Sequence, residues 1–513
     1  MSYSEVPPSK PIPESRLLKN KMLSGSIWSL IAAVTRQGFG LIVFVLLSRL
    51  LAPTDFGLMA MAVAGVELIC TFMMLGLVDV VVRKRDLSDA DTSTFFWVTA
   101  ITGFASSIAI FLLCEPLAHM FGQPQIAPML KFLAIMPMLQ SLVTVPQGLL
   151  LREMKFKRFA MRTMWSSIGA GVISVAMAFT GFGVYSLVFQ RISSLAIITF
   201  SSWTLARWRP RLILRPQTVR EYVPRGLSLV GSTFFNTASI RSVDLIAGFV
   251  LGPAAVGFYR IAGKLNDFVV QFLIDPIVKV ALPSFSRIQE DRAALAKMYK
   301  KLTQMCASVA IPAFVGLAIL APEIVALVFG EKWAISGQLM QILCIASIGY
   351  TLNYFFKPLM TVLGYTSEIF KTQFVNFILV SVSTLILARF SIHAVMVGFV
   401  ISNLIITAWN LARICKYLDI PMVEMLMGFR SSIISSLVMA LSILVVQQVT
   451  AFPQDLTLSV LLQLVIFLMI GVLGYLASMR IFFQKELHYT LGVVKDFMIE
   501  RRMRKVANRQ VHK

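Results

Sequence analysis

Apolar stretches of about twenty residues recur from one end of the chain to the other, each long enough to cross a hydrocarbon core. Breaking them at charge clusters and at Pro or Gly turns gives fourteen candidates: 24–47, 57–82, 93–113, 126–150, 160–180, 183–206, 226–250, 256–282, 302–321, 337–363, 369–388, 392–412, 431–449 and 457–480. Of 513 residues, 57% are hydrophobic and 14% are charged, about half the charge that a water-facing surface needs. The solvent for such a chain is lipid. The expected fold is an all-α polytopic membrane protein of about fourteen transmembrane helices, embedded as one unit.

The charges between these stretches test the count independently. With the N-terminus inside, the inner connections hold Arg83, Lys84 and Arg85, then Arg152, Lys155, Lys157, Arg158 and Arg162, then a run of arginines from Arg207 to Arg225. Further along they hold Arg287, Arg292, Lys297, Lys300 and Lys301, then Lys371, then Arg413, Lys416 and Arg430. The outer connections hold only Arg49, Lys332 and Arg389. A single miscounted helix would invert this bias from that point on, so the pattern places both termini in the cytoplasm, N-in and C-in. It also accounts for the net charge of +22: the cations sit beside anionic lipid headgroups, and no nucleic-acid partner is expected.

The N-terminus, with Pro7, Pro8, Pro11 and Pro13, has no apolar core of a cleaved signal. Cys70, Cys114, Cys306, Cys344 and Cys415 show no CxxC spacing, so neither a disulfide framework nor a metal site is expected, and no cofactor motif accompanies them.

Leu51-Ala-Pro53-Thr-Asp-Phe-Gly57 follows the first stretch and Leu251-Gly-Pro253-Ala-Ala-Val-Gly257 follows the seventh, with Ala62 and Ala262 in register. Six stretches separate the copies. An even number gives both halves the same orientation, as in parallel repeats related by an axis along the membrane normal. The expected organisation is a cytoplasmic segment 1–23, a six-helix lobe 24–206, a cytoplasmic linker 207–225, a second six-helix lobe 226–412, an additional helix pair 413–480 and a basic tail 481–513. Two lobes facing a central cleft follow from this reading.

Charges at membrane depth are costly and mark pathways by default. Arg36 and Arg241 lie deepest, one in the first span of each lobe. Guanidinium forks match phosphate oxygens, so the pair suits a pyrophosphate in a cavity. Lys264, Arg191 and Lys357 are further cavity candidates. The other reading of the same charges is ion pairing, with Glu67 neutralising Arg36 and Asp244 one turn from Arg241. Glu67, Asp244 and Asp267 are accordingly candidates for ion pairs or for binding a coupling ion. Arg260, near an outer helix end, is read as snorkelling to the interface. Pro137, Pro146, Pro276, Pro312 and Pro358 interrupt apolar stretches as bends or hinges.

Several strings resemble the polysaccharide transporter branch of the multidrug/oligosaccharidyl-lipid/polysaccharide (MOP) flippase superfamily, which includes the Wzx-type exporters. They are Ser48-Arg-Leu-Leu-Ala-Pro-Thr-Asp-Phe-Gly57, Pro146-Gln-Gly-Leu-Leu-Leu-Arg152 with Met154 and Phe156, Gly181-Phe-Gly-Val-Tyr-Ser-Leu-Val188, Leu282-Pro-Ser-Phe-Ser-Arg287 and Leu327-Val-Phe-Gly-Glu-Lys-Trp333. The resemblance, over residues 24 to 415, implies a two-lobed helical bundle in a bacterial inner membrane. It implies a flippase for undecaprenyl-pyrophosphate-linked oligosaccharide in exopolysaccharide or lipopolysaccharide biosynthesis. It also implies a lipid-linked oligosaccharide substrate, with polysaccharide polymerase and export machinery as partners. A cationic cavity is a common family feature, and Arg36 and Arg241 are where this sequence can supply it.

The competing readings are a drug/cation antiporter of the same superfamily and a membrane glycosyltransferase or polymerase. Catalysis of the second kind needs acidic groups presented in a sizeable loop, and the outer connections are short. No Walker GxxxxGK[ST] string is present, so no ATPase is expected. Surplus intramembrane cations favour an anionic lipid over a cationic drug.

Overall fold

The computed structural model describes residues 35–73, 81, 88–153, 156–206, 208–449 and 457–484. The expected cytoplasmic segment 1–23, the start of the stretch 24–47, the inner cations Arg83, Lys84, Arg85, Lys155 and Arg207, and the basic tail beyond 484 lie outside the described residues. Every regular element among the described residues is helical. Among the described residues, eleven helices are long and apolar enough to cross a membrane, judged by length and composition. The three other expected stretches coincide with a helix over residues 35–50, with Phe156–Phe179 and with Tyr185–Ala206. The last two each carry an arginine, Arg162 or Arg191, that lowers their mean hydropathy.

The chain forms two compact units, Met1–Thr237 and Ala238–Lys513. The first contains α1 (35–50), α2 (Pro53–Met73), α3 (Asp89–Met120), α4 (Ile126–Leu133), α5 (Ile135–Arg152), α6 (Phe156–Phe179) and α7 (Tyr185–Ala206). Its core joins α2, α3, α4 and α7 through Met61, Ile110, Met129, Leu133 and Val188. The expected stretch 126–150 is broken at Ala134, shortly before Pro137. α6 and α7 are joined by a turn in which Gly181 and Gly183 both have positive φ, 85° and 53°, a conformation that a Cβ disfavours.

α3 starts earlier than hydropathy indicates, and its polar first turns are buried rather than looped out. Ser88 caps the helix by accepting from the Asp91 amide at 3.1 Å. Ser93 Oγ then accepts from the Arg211 amide (3.1 Å), Thr94 Oγ1 accepts from the Arg215 amide (3.0 Å), and Thr218 Oγ1 donates to Asp91 (2.8 Å). Trp97 Nε1 donates to the Arg211 carbonyl at 2.8 Å. The connection after α7 is thereby stapled to α3, because side chains satisfy backbone groups that no helix satisfies. The next helix, α8 (Pro216–Leu251), begins inside the expected linker 207–225 and carries the boundary between the units.

The second unit continues with α9 (Pro253–Val269), a π-helical segment Val270–Ile274, α10 (Asp275–Ser286), α11 (Arg292–Ile319), α12 (Ala321–Phe329) and α13 (Ala334–Tyr350). α14 (Phe356–Val362), α15 (Thr366–Leu387), α16 (Ile392–Leu418), α17 (Met422–Met427), α18 (Arg430–Val449) and α19 (Thr457–Phe482) complete it. α18 and α19 pack on the end of α11 through Leu320, Met439, Ile443 and Phe467. The expected stretch 337–363 is two helices, separated by the turn 351–355. Pro276 and Pro358 therefore adjoin irregularities, the π segment and this turn, whereas Pro146 and Pro312 sit inside continuous helices.

The two copies of the repeated string each sit at a junction between two helices. α1 is followed by α2 and α8 by α9 after a short break, and Pro53 and Pro253 each begin the second helix. Ala62 and Ala262 are both buried, at 1% and 0% exposure. The breaks differ locally, since Gly252 takes a positive φ of 85° where the first copy has Ala52. Two hundred residues also separate Glu67 from Asp267, so α2 and α9 each carry a carboxylate fourteen residues after the proline that begins the helix.

Candidate functional site

In the first unit, the carboxylate of Glu67 on α2 accepts from the Arg191 guanidinium on α7. Glu67 lies fourteen residues into α2 and Arg191 six into α7, so the pair spans helices that only tertiary packing brings together. The sequence suggested Arg36 as the partner of Glu67; the structure gives it Arg191. Arg36 lies near the described start of α1 and is exposed. Arg191 is half exposed (49%) and Glu67 less so (19%).

In the second unit the centre is Asp244, whose side chain is fully buried. Arg241, one turn earlier on α8, donates to its Oδ2 at 3.2 Å, and Arg260 on α9 donates to the same oxygen. Among the described residues, Oδ1 of Asp244 has no hydrogen-bond partner. Arg241 lies midway along the apolar stretch Gly231–Leu251. Arg260 is therefore corrected from a snorkelling residue to a partner of a buried carboxylate, because a charge at that depth is less costly when paired than when unpaired. Lys264 and Asp267 follow Arg260 at spacings of four and three along α9, and Asp267 has Lys264, Arg260 and Arg241 as its cationic neighbours. Lys357, on α14, is exposed and lies apart in sequence from these groups.

Two buried polar groups escaped the sequence reading. Arg162, counted among the inner-loop cations, is 4% exposed on α6, where it donates to Ser202 Oγ (2.6 Å) and Gln147 Oε1 (3.4 Å) and lies 4.4 Å over the Phe159 ring. Glu368, at the start of α15, holds both Lys371 (3.0 Å) and Arg413, and the Arg413 guanidinium lies 4.6 Å from the Trp409 ring. Nearby, Asn410 bridges Asn353 (2.7 Å) and Thr372 (3.0 Å). The Glu368–Lys371 spacing of three was the available signal for the second group.

Chemically, Arg241, Arg260 and Lys264 stand with Asp244 and Asp267, so the cluster carries a net positive charge in an apolar span. Guanidinium forks of this kind orient phosphate or carboxylate oxygens.

Residues 46–338 match the family described as polysaccharide biosynthesis protein. All five family-like strings fall inside that segment. The chain is 25% identical over 319 residues to the succinoglycan biosynthesis transport protein ExoT of Rhizobium meliloti, covering 62% of this chain and 65% of that protein. It is 25% identical over 339 residues to the lipopolysaccharide biosynthesis protein WzxC of Escherichia coli, covering 64% and 68% respectively. Among solved structures, the lipid II flippase MurJ in an inward closed conformation superposes with a TM-score of 0.73 at 14% identity, covering 91% of this chain and 100% of that one. An inward-facing MATE multidrug transporter of the MOP superfamily superposes with a TM-score of 0.61 at 14% identity, over 75% and 99%. These structures share the fold. The chain belongs to the polysaccharide biosynthesis protein family, as a multi-pass helical membrane protein that shares its fold with these two solved structures.

Proposed function

We propose that this chain is a flippase that moves undecaprenyl-pyrophosphate-linked oligosaccharide units from the cytoplasmic to the periplasmic leaflet of a bacterial inner membrane. The observation that carries the proposal is the net positive cluster on the buried Asp244, with Arg241, Arg260 and Lys264 outnumbering Asp244 and Asp267. An anionic headgroup is the substrate class that such charge favours, whereas a cationic drug calls for the opposite sign. The relatives named for transport and biosynthesis of surface polysaccharides support the same reading.

In this proposal the chain has fourteen spans with both termini inside, arranged as two six-helix lobes plus the pair α18 and α19. Arg36, Arg241, Lys264, Arg191 and Lys357 serve the substrate pyrophosphate, and alternating access is coupled to an ion through Glu67, Asp244 or Asp267. The test in cells is polysaccharide export by Arg36→Ala and Arg241→Ala variants with membrane protein quantified. Loss of export at an unchanged protein level is expected, and normal export by both variants removes these residues as substrate contacts.

A further inference from the structure

A cavity of about 950 Å³ opens at one end of the second unit, away from the Asp244 cluster in sequence and built from different helices. Its wall is one face of the first turns of α11, where Arg292, Ala296, Lys300 and Gln304 recur every four residues with Lys297 and Lys301 beside them. The end of α16, with Lys416 and Tyr417, and Glu424 of α17 close it. We propose that this cavity binds an anion carrying two phosphates, the chemistry shared by a bisphosphate lipid headgroup and a free diphosphate.

Charge is the first reason. The lining contains five cations against two carboxylates, Asp419 and Glu424, and Glu424 is engaged by Lys300. A single phosphodiester would offset one of the three surplus charges, and a bisphosphate two or more. The N-terminus of α11 is already capped by Asp291, which accepts from the Ala294 amide at 2.9 Å, so the positive potential comes from the side chains.

Preformed walls are the second. Arg292 donates to the Tyr417 carbonyl at 3.1 Å, fixing α11 to the end of α16, and the Tyr417 ring stacks on Tyr365 with centroids 4.5 Å apart. Asp419 adopts a left-handed φ of 53° and the Ile420 amide bonds back to the Cys415 carbonyl at 3.0 Å, which turns the chain over the cavity. These contacts fix the backbone frame of the cavity before a ligand arrives.

Position is the third. α11 is a membrane-spanning candidate whose cations are confined to Arg292–Lys301, with uncharged residues from Leu302 onward. The cavity therefore lies at headgroup level on whichever face this end occupies, and basic pockets between helices at that level are the pattern for polyanionic headgroups. The inference stands on the second unit alone and is independent of the flippase reading.

The test uses the purified full-length chain with three probes: inorganic pyrophosphate, cardiolipin and phosphatidylcholine. Saturable binding of cardiolipin above phosphatidylcholine identifies a lipid source, and saturable binding of pyrophosphate in detergent a soluble one; either supports the proposal when Lys416→Gln weakens it, since that residue lines this cavity and not the Arg241 cluster. Lys297→Gln with Lys416→Gln, both exposed side chains, should weaken the bound probe by about thirtyfold, and Lys416→Gln alone by about fivefold. Lys297→Arg with Lys416→Arg should retain binding. Neither probe binding above phosphatidylcholine, or the Lys416→Gln variant binding as the wild type does, overturns it.

Discussion

Arg260 on α9 donates to Asp244 on α8 across the break at Gly252, sixteen residues away in sequence, so an ion pair on a buried carboxylate ties together these two consecutive helices. Arg241 reaches the same oxygen from within α8. Removing the carboxylate leaves two neighbouring guanidiniums without it, while removing one arginine leaves the other in place. Asp244→Asn is accordingly expected to destabilise the protein by about 3–5 kcal/mol, and a cycle with Arg260→Gln to show coupling of about 1–3 kcal/mol. Denaturant unfolding of the detergent-solubilised variants checks this, and additive effects would contradict it.

The pair Glu67–Arg191 should behave differently. Its arginine is half exposed, so solvent screening reduces what the pair contributes. A double-mutant cycle with Glu67→Gln and Arg191→Gln is expected to give less than about 1 kcal/mol. A coupling as large as that of Asp244–Arg260 would assign Glu67 an equally buried environment.

Arg162 is a packing residue in this account. Its Ser202 and Gln147 bonds lie in a buried site, and Arg162→Ala would leave those partners without their donor. About 3 kcal/mol of stability should be lost, with export falling in proportion to folded protein in the membrane. Reduced export at full protein level would instead place Arg162 in the transport step.

Gly337 near the start of α13 faces backbone. A Cβ there would come within 2.9 Å of Pro322 Cα, which cannot swing aside as a side-chain tip can. Gly337→Ala should therefore cost about 1–3 kcal/mol through overpacking, more than the ~1 kcal/mol that alanine gains in a helix. A raised melting temperature would show that α12 and α13 can separate at that point.

The spans were legible because apolar length and charged ends are local properties: α15 and α16 lie close to the stretches read at 369–388 and 392–412. Their interruptions were less so. Hydropathy averaged over a window passes over the break at Ala134, and over the turn 351–355 despite its Thr351 and Asn353. Asp91 falls in the expected connection ahead of the stretch 93–113, and the bonds of Ser93 and Thr94 at the start of that stretch are invisible to hydropathy, because the partners of all three, between Arg211 and Thr218, are more than a hundred residues away. The same limit applies to the site. Arg241 and Asp244 share a helix face and their contact follows from spacing, whereas Arg260–Asp244 and Arg191–Glu67 depend on which helices pack together.

The most direct measurement is leaflet exchange of a labelled undecaprenyl-pyrophosphate oligosaccharide in vesicles containing the purified chain, with proton and sodium gradients imposed in turn. Transfer faster than in empty vesicles is expected under at least one gradient, with its loss on Arg241→Ala. Transfer no faster than in empty vesicles under every gradient would contradict the flippase proposal.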